Sequence, residues 1–162
     1  MPVEIQEIQN HDDFLYAPWM SVILLSGPPL QSTLKLHYYN NDARNLTACS
    51  LGASDADIST SMLTDSMKEL TNLFAGEIKA QLFHNEILVG ISLPLITRGF
   101  DEVLFSDQFN VDQVSDYWVM KCGEKDQIIL STETEVFNPE IFNKVGFVSQ
   151  AEEEDEGDID FL

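Results

Sequence analysis

Residues 59–83 read STSMLTDSMKELTNLFAGEIKAQLF, and the spacing of their apolar residues decides the fold. Leu63, Met67, Leu70, Phe74 and Ile78 recur at steps of three and four, the period of a helix with one buried side. At roughly 100° per residue they fall within an arc of about 80°. The spacing predicts one helix over about 59–83, capped by Asp55 or Asp57, with Leu70 and Phe74 in the core. On the same scale Asp65, Glu69, Asn72 and Gly76 lie roughly 180–240° from Leu63, opposite the stripe. Glu69 and Asn72 stand one turn apart and can reach the same point in space. Glycine in an exposed helix interior costs up to about 1 kcal/mol against alanine. Gly76 therefore argues for the backbone of another molecule passing close by. Spacing alone describes equally well the solvated face of any amphipathic helix.

On the N-terminal side, MSVILLSG (20–27) is rich in branched residues and stops at Gly27-Pro28-Pro29, as a strand before a turn does. STLKLHYY (32–39) alternates, with Leu34, Leu36 and Tyr38 on one side, and predicts a half-exposed strand antiparallel to the first. Asn40, Asn41 and Asp42 offer N-caps to a short helix that Gly52 closes. On the C-terminal side, EILVGISLPLI (86–96) reads as a strand that Pro94 interrupts, at an edge or a strand end. Residues 97–113 read as a loop, and 116–123 with 127–137 as a hairpin. The sum is an α+β domain, a mainly antiparallel β-sheet with two helices packed on one face.

Charge limits the partners. Eight basic residues against twenty-eight acidic ones give a formal net charge of −20. Nucleic acid and anionic membranes both need basic patches, so neither is expected as a partner. Seven of the acids fall in EEEDEGDID (152–160), which leaves the rest at about −13. Such a segment buries too little to fold and is expected to be disordered. No apolar run reaches the length of a membrane span, and the first residues show no secretory leader pattern. Cys49 and Cys122 show no metal-ligand spacing. The expectation is a cytoplasmic, reduced protein. His11, His37 and His84 are scattered, so no metal site is expected from them. Cys49 is expected as a small core residue, and Trp19 and Trp118 as core or dimer-contact aromatics.

Asp65-x-x-x-Glu69-x-x-Asn72, with Gly76 after it and Pro94 twenty-two residues beyond Asn72, resembles the signature of the CheX and CheC phosphatases. The order of two strands, short helix, long helix and three strands is similar to a CheX domain over roughly residues 17–137. CheC proteins carry two such motifs and this chain one, so it resembles the single-site, CheX-like class, whose members are often dimers. That assigns residues 1–16 to an N-terminal extension, 17–148 to a CheX-like domain and 149–162 to the acidic tail.

The resemblance implies a hydrolase in two-component signalling. It would remove the phosphoryl group from the aspartyl phosphate of a CheY-like response regulator. The phosphorylated receiver is the implied partner, a homodimer the implied assembly, and chemotaxis the implied setting. No cofactor belongs to the chain itself, since Mg²⁺ comes with the receiver. Asn72 and Glu69 are the implied catalytic pair: Asn72 orients the attacking water, and Glu69 pairs with the receiver's lysine. Asp65 helps to dock the partner, and Gly76 lets it approach. Positioning is a sufficient contribution to phosphoryl transfer. The second reading is a non-catalytic adaptor that binds a receiver, or another signalling protein, through the same helix.

The terminal GDIDFL places Ile159, Phe161 and Leu162 behind the acids. It reads as a solubilising tail or as a docking peptide that orders on binding. In character, though not in alignment, it is similar to the acidic-apolar peptides by which flagellar switch proteins and the CheZ phosphatase hold CheY. A tether raises the local concentration of a partner without touching the chemistry. Deleting residues 152–162 should therefore raise KM for a phosphorylated receiver while kcat at saturation stays near wild type. Phe161→Ala with Leu162→Ala should reproduce much of the loss. Unchanged KM in steady-state phosphate release for both variants would leave a solubilising tail.

Overall fold

The computed structural model describes residues 3–8, 17–99, 113–122 and 126–146. Two strands, β1 (Val3–Glu7) and β2 (Trp19–Ser26), precede β3 (Leu30–Tyr38) and the helices α1 (Asn40–Leu51) and α2 (Thr60–His84). Then come β4 (Gly90–Ile91), β5 (Leu95–Arg98), β6 (Gln113–Cys122) and β7 (Asp126–Val136). The seven strands form one sheet in the order β1-β6-β7-β3-β2-β4, with β5 also paired to β2. Every pairing is antiparallel. Both helices pack on the same face, α1 chiefly against β7 and α2 chiefly against β2. This is the α+β architecture that the hydrophobic periods imply.

The core lies between the sheet and the helices. Leu36 and Tyr38 of β3, Ile128 of β7 and Met67 of α2 meet in one apolar cluster. Ile23, Leu25, Leu30 and Leu34 meet Ala75 of α2 and Ile87 in a second. Each fully buried aliphatic side chain contributes roughly 1.5–3 kcal/mol. The sheet-facing side of α2 consists of Leu63, Met67, Thr71 and Ala75, all buried. Leu70, Phe74 and Ile78 are only half-buried, at the margin of that contact. The helix is thus turned from the expected stripe, because small residues bring its backbone close to the sheet.

Several local expectations change. Ser59 caps α2, its hydroxyl accepting from the Met62 N–H, while Asp55–Asp57 form a separate 3₁₀ turn. Asn40 to Asp42 lie inside the first turn of α1, whose N-cap is Tyr39. Gly52 closes α1 at φ 62°, as expected. Cys49 is exposed, since α1 turns Ala43, Thr47 and Ala48 to the core. The segment 86–96 supplies two short strands on either side of Pro94, both on the β2 edge. Val3–Glu7 joins the sheet as the edge strand beside β6. Trp19 and Trp118 lie half-buried in β2 and β6, and the Arg98 guanidinium sits 3.8 Å over the Trp19 ring. His11, residues 100–112 and the tail 149–162 lie outside the described residues.

β3 departs most from its pattern. Its alternation predicts a polar, wet side, yet Lys35 and His37 are buried along with Leu34, Leu36 and Tyr38. β3 is an inner strand between β7 and β2, and on this side Met20, Ile129 and Ser131 are buried too. A buried ammonium needs a counter-charge. Glu133 supplies it, 2.6 Å from Lys35 Nζ. His37 Nε2 lies 3.1 Å from Ser131 Oγ. Burial, then the Lys35 charge, pushes the His37 pKa down from 6.5 to about 4, with Glu133 opposing.

The native state therefore refuses a proton that the unfolded chain takes up below pH 6.5. This contribution to stability is complete above pH 6.5 and is lost as pH falls toward 4, by on the order of 3 kcal/mol in all. Between pH 7.5 and 4.5, wild type should lose about 2–3 kcal/mol more unfolding free energy than His37→Gln in denaturant titrations. The carboxylates titrate alike in both proteins, so equal losses would show that His37 is not held neutral.

Candidate functional site

The seating of α2 on the sheet orients the candidate site. Thr71 Oγ1 lies 2.6 Å from Ser21 Oγ of β2 and 2.7 Å from the Met67 carbonyl, all within the core. A hydroxyl has one proton, so if Thr71 donates to the carbonyl it accepts from Ser21. Rotating the helix would leave Thr71 its bond to the Met67 carbonyl but strand the buried Ser21 hydroxyl, at about 1–3 kcal/mol. Thr71 is adjacent to Asn72 and two residues from Glu69, so the same contact turns both outward. With Thr71 facing the sheet, Asp65, Glu69, Asn72 and Gly76 stand roughly 100–160° away around the helix.

The structure leaves all four exposed on α2. Ser61 Oγ donates to Asp65 Oδ2 at 3.4 Å, an i,i+4 contact that steadies the carboxylate. Among the described residues no hydrogen bond or ion pair engages the side chains of Glu69 and Asn72, which leaves both available to a partner. A Cβ added at Gly76 would meet nothing within 4 Å, so the fold itself makes no demand for glycine there.

Beside Asp65 and Glu69, α1 and α2 diverge into a groove of ≈ 610 Å³. Leu46 and Leu70 line it, and Leu51, Met62 and Leu73 are exposed along it. Arg44 of α1 donates to the Ile58 carbonyl just before α2, and Asn45 Nδ2 donates to Asp126 Oδ1 at 2.9 Å. These contacts hold α1 against both α2 and β7. Asp42 accepts from the Gln127 N–H at 3.4 Å, and burial pushes its carboxyl pKa up. Sequence reasoning missed the groove. The signal was present, since Met62 and Leu73 fall roughly 260–280° from Leu63, well off the apolar stripe.

Phe161 and Leu162 lie outside the described residues. The described C-terminus ends where Asn85, just past α2, exchanges two hydrogen bonds of 2.9 and 2.8 Å with the Gly146 backbone. By the helical rise, that anchor is about 20 Å along α2 from Asn72. No grouping of His, Cys, Asp and Glu among the described residues could hold a metal ion. No described helix is long and apolar enough to cross a membrane.

Comparison with solved structures finds this arrangement of sheet and helices elsewhere. A CheC-like superfamily protein from Shewanella sp. PV-4 superposes with a TM-score of 0.65 over 83% of this chain and 85% of its own, at 16% identity. The chain has the CheC/CheX fold. The chemotaxis protein CheX from Vibrio vulnificus gives a TM-score of 0.65 at 12% identity, over 83% of this chain and 87% of its own. The CheX–CheY–BeF₃–Mg²⁺ complex from Borrelia burgdorferi gives 0.66 at 13% identity, over 82% and 84%. No protein-family model matches the sequence, and comparison with curated proteins finds no match.

Gly76 separates stability from recognition in a measurable way. Gly76→Ala should raise the unfolding free energy by about 0.5–1 kcal/mol, because the added methyl meets open space and helix propensity improves. If a partner's backbone passes there, the same methyl should weaken binding of that partner. Denaturant titration with isothermal calorimetry reads both effects. A stabilised variant with undiminished binding would show that no partner needs the glycine.

Proposed function

We propose that this chain is a phosphatase for the aspartyl phosphate of a CheY-like response regulator, in chemotaxis or a related two-component pathway. One observation carries the reading: Glu69 and Asn72 are exposed a turn apart, with Asp65, on the long helix of a CheC/CheX fold. A neighbour in fold was solved as a CheX–CheY–BeF₃–Mg²⁺ complex, which supports a CheY-like receiver as the partner.

The division of labour follows from what each side chain can do. The receiver brings its aspartyl phosphate, its Mg²⁺ and its lysine. The carboxamide of Asn72 both donates and accepts hydrogen bonds, so it can hold a water in line with the scissile bond. The water oxygen bonds to phosphorus, the bond from phosphorus to the aspartyl carboxylate oxygen breaks, the aspartate is released as its carboxylate, and inorganic phosphate leaves with both of the water's protons. Glu69 pairs with the receiver's lysine and anchors α2 in the site. Asp65 adds a docking contact, and the open space at Gly76 admits the partner's backbone. Positioning is the chain's whole contribution, and the receiver's own cations compensate the charge on the phosphoryl group.

Phosphate release from a panel of phosphorylated receivers tests the proposal. Asn72→Ala should lower kcat by at least about tenfold, because the water loses its positioning group. Glu69→Ala should lower kcat and raise KM together, because an anchoring contact goes with it. Wild-type activity in both variants would place the chemistry elsewhere. Receiver binding with no phosphate release by the unmodified protein would identify an adaptor.

A further inference from the structure

The groove between α1 and α2 is an apolar feature of the described surface that the proposed chemistry leaves unused. Leu51 and Leu73 are 57% and 60% exposed on its walls, and Met62 39%. Large side chains exposed together mark a contact surface more often than a solvated one. The rim is acidic, formed by Asp65 and Glu69. Glu69 stands on the crest between this groove and Asn72, so one residue belongs to both surfaces. A partner whose cation meets Glu69 comes to the edge of the groove.

We propose that the groove is the specificity pocket for the receiver: it takes an apolar side chain that the partner carries beside a basic one. The inference rests on the receiver reading of the Glu69–Asn72 face and adds what selects among receivers. Charge excludes the nearer candidates. A second copy of this chain brings a net charge of −20 to an acidic rim. The chain's own C-terminus would bring Phe161 and Leu162 only together with seven acids. Like charges at close range oppose both, while a basic-apolar patch is attracted by the rim and desolvated by the leucines. Apolar complementarity of this kind sets residence time, and the acidic rim sets the rate of encounter.

The test is the double variant Leu51→Ser/Leu73→Ser. Both positions are exposed, so the melting temperature should stay within a few degrees of wild type. Across a panel of Mg²⁺-loaded, phosphorylated CheY-like receivers, KM and the calorimetric Kd should rise at least tenfold for the preferred receiver. Its advantage over the others should shrink, and kcat at saturation should remain near wild type. Unchanged KM, Kd and preference order in an active protein overturn the pocket and leave the phosphatase reading standing. If wild type binds receivers without hydrolysing them, loss of binding in the double variant still supports the pocket while the phosphatase reading fails. Absence of binding by every receiver overturns the pocket as well. Sedimentation showing a wild-type dimer that the double variant loses would give the groove to a second copy. Tightening of receiver binding on deletion of residues 147–162 would give it to the tail. Either result overturns the proposal.

Discussion

The contact of Thr71 with Ser21 is the constraint on which the rest of the molecule depends. Two hydroxyls meet at 2.6 Å inside an apolar interior, where Thr71 also has the Met67 carbonyl of its own helix but Ser21 Oγ depends on Thr71. Apolar contacts alone would tolerate rotation of α2, since Leu70 or Phe74 could replace Met67 against the sheet at modest cost. The buried hydroxyl pair does not tolerate it. Small residues on this side, Thr71 and Ala75, draw the helix close to β2 and β3, while Leu70 and Leu73 turn toward α1. The direction of Asn72 and the position of the groove are two consequences of the same seating.

Charge acts at two depths. In the interior, Lys35 and Glu133 neutralise each other, and the histidine beside them is held uncharged. A buried pair of this kind adds little net stability but makes the register of β3 against β7 costly to change. Over the whole chain the acids outnumber the bases, twenty-eight to eight, which gives the surface an acidic field. That surface repels its own kind and attracts cationic partners, and it does so most specifically where carboxylates border apolar side chains. Asp65 and Glu69 are such a border.

Among the described residues the side chains of Asn72 and Glu69 have no partner within the protein, so the chemistry proposed for them depends on what a receiver supplies. Asn72 and Glu69 are placed groups on a rigid element, held by the core behind them. The proposed role asks only that placement of them, which a long, well-seated helix provides better than a loop would. Gly76 fits the same proposal: the fold makes no demand for glycine there, and the open space would admit an incoming backbone.

Much of this was legible in the sequence. A period of 3.6 located α2 and alternation located β3, because a buried side must repeat with its element. Branched residues ending at Gly27-Pro28-Pro29 located β2, and 116–123 with 127–137 read as the β6–β7 hairpin. Gly52 marked the end of α1, and Pro94 the break between β4 and β5. The polar face of α2 followed from the apolar one by geometry alone. Other features depend on what each element meets. Thr71 and Ala75 look unremarkable to a count of apolar residues, yet they form the contact, since distance to the sheet rewards small side chains. Lys35 and His37 read as solvated, because a strand's pattern cannot say whether both of its sides are covered. Cys49 read as core, although the crossing of α1 over β7 turned its neighbours inward instead. Leu51 and Leu73, far apart in the chain, became one groove only when α1 and α2 packed. The sequence by itself determined which residues share a side of an element. Tertiary packing decided which side is buried and which elements lie adjacent, because both are set by long-range contacts between segments that no local period encodes.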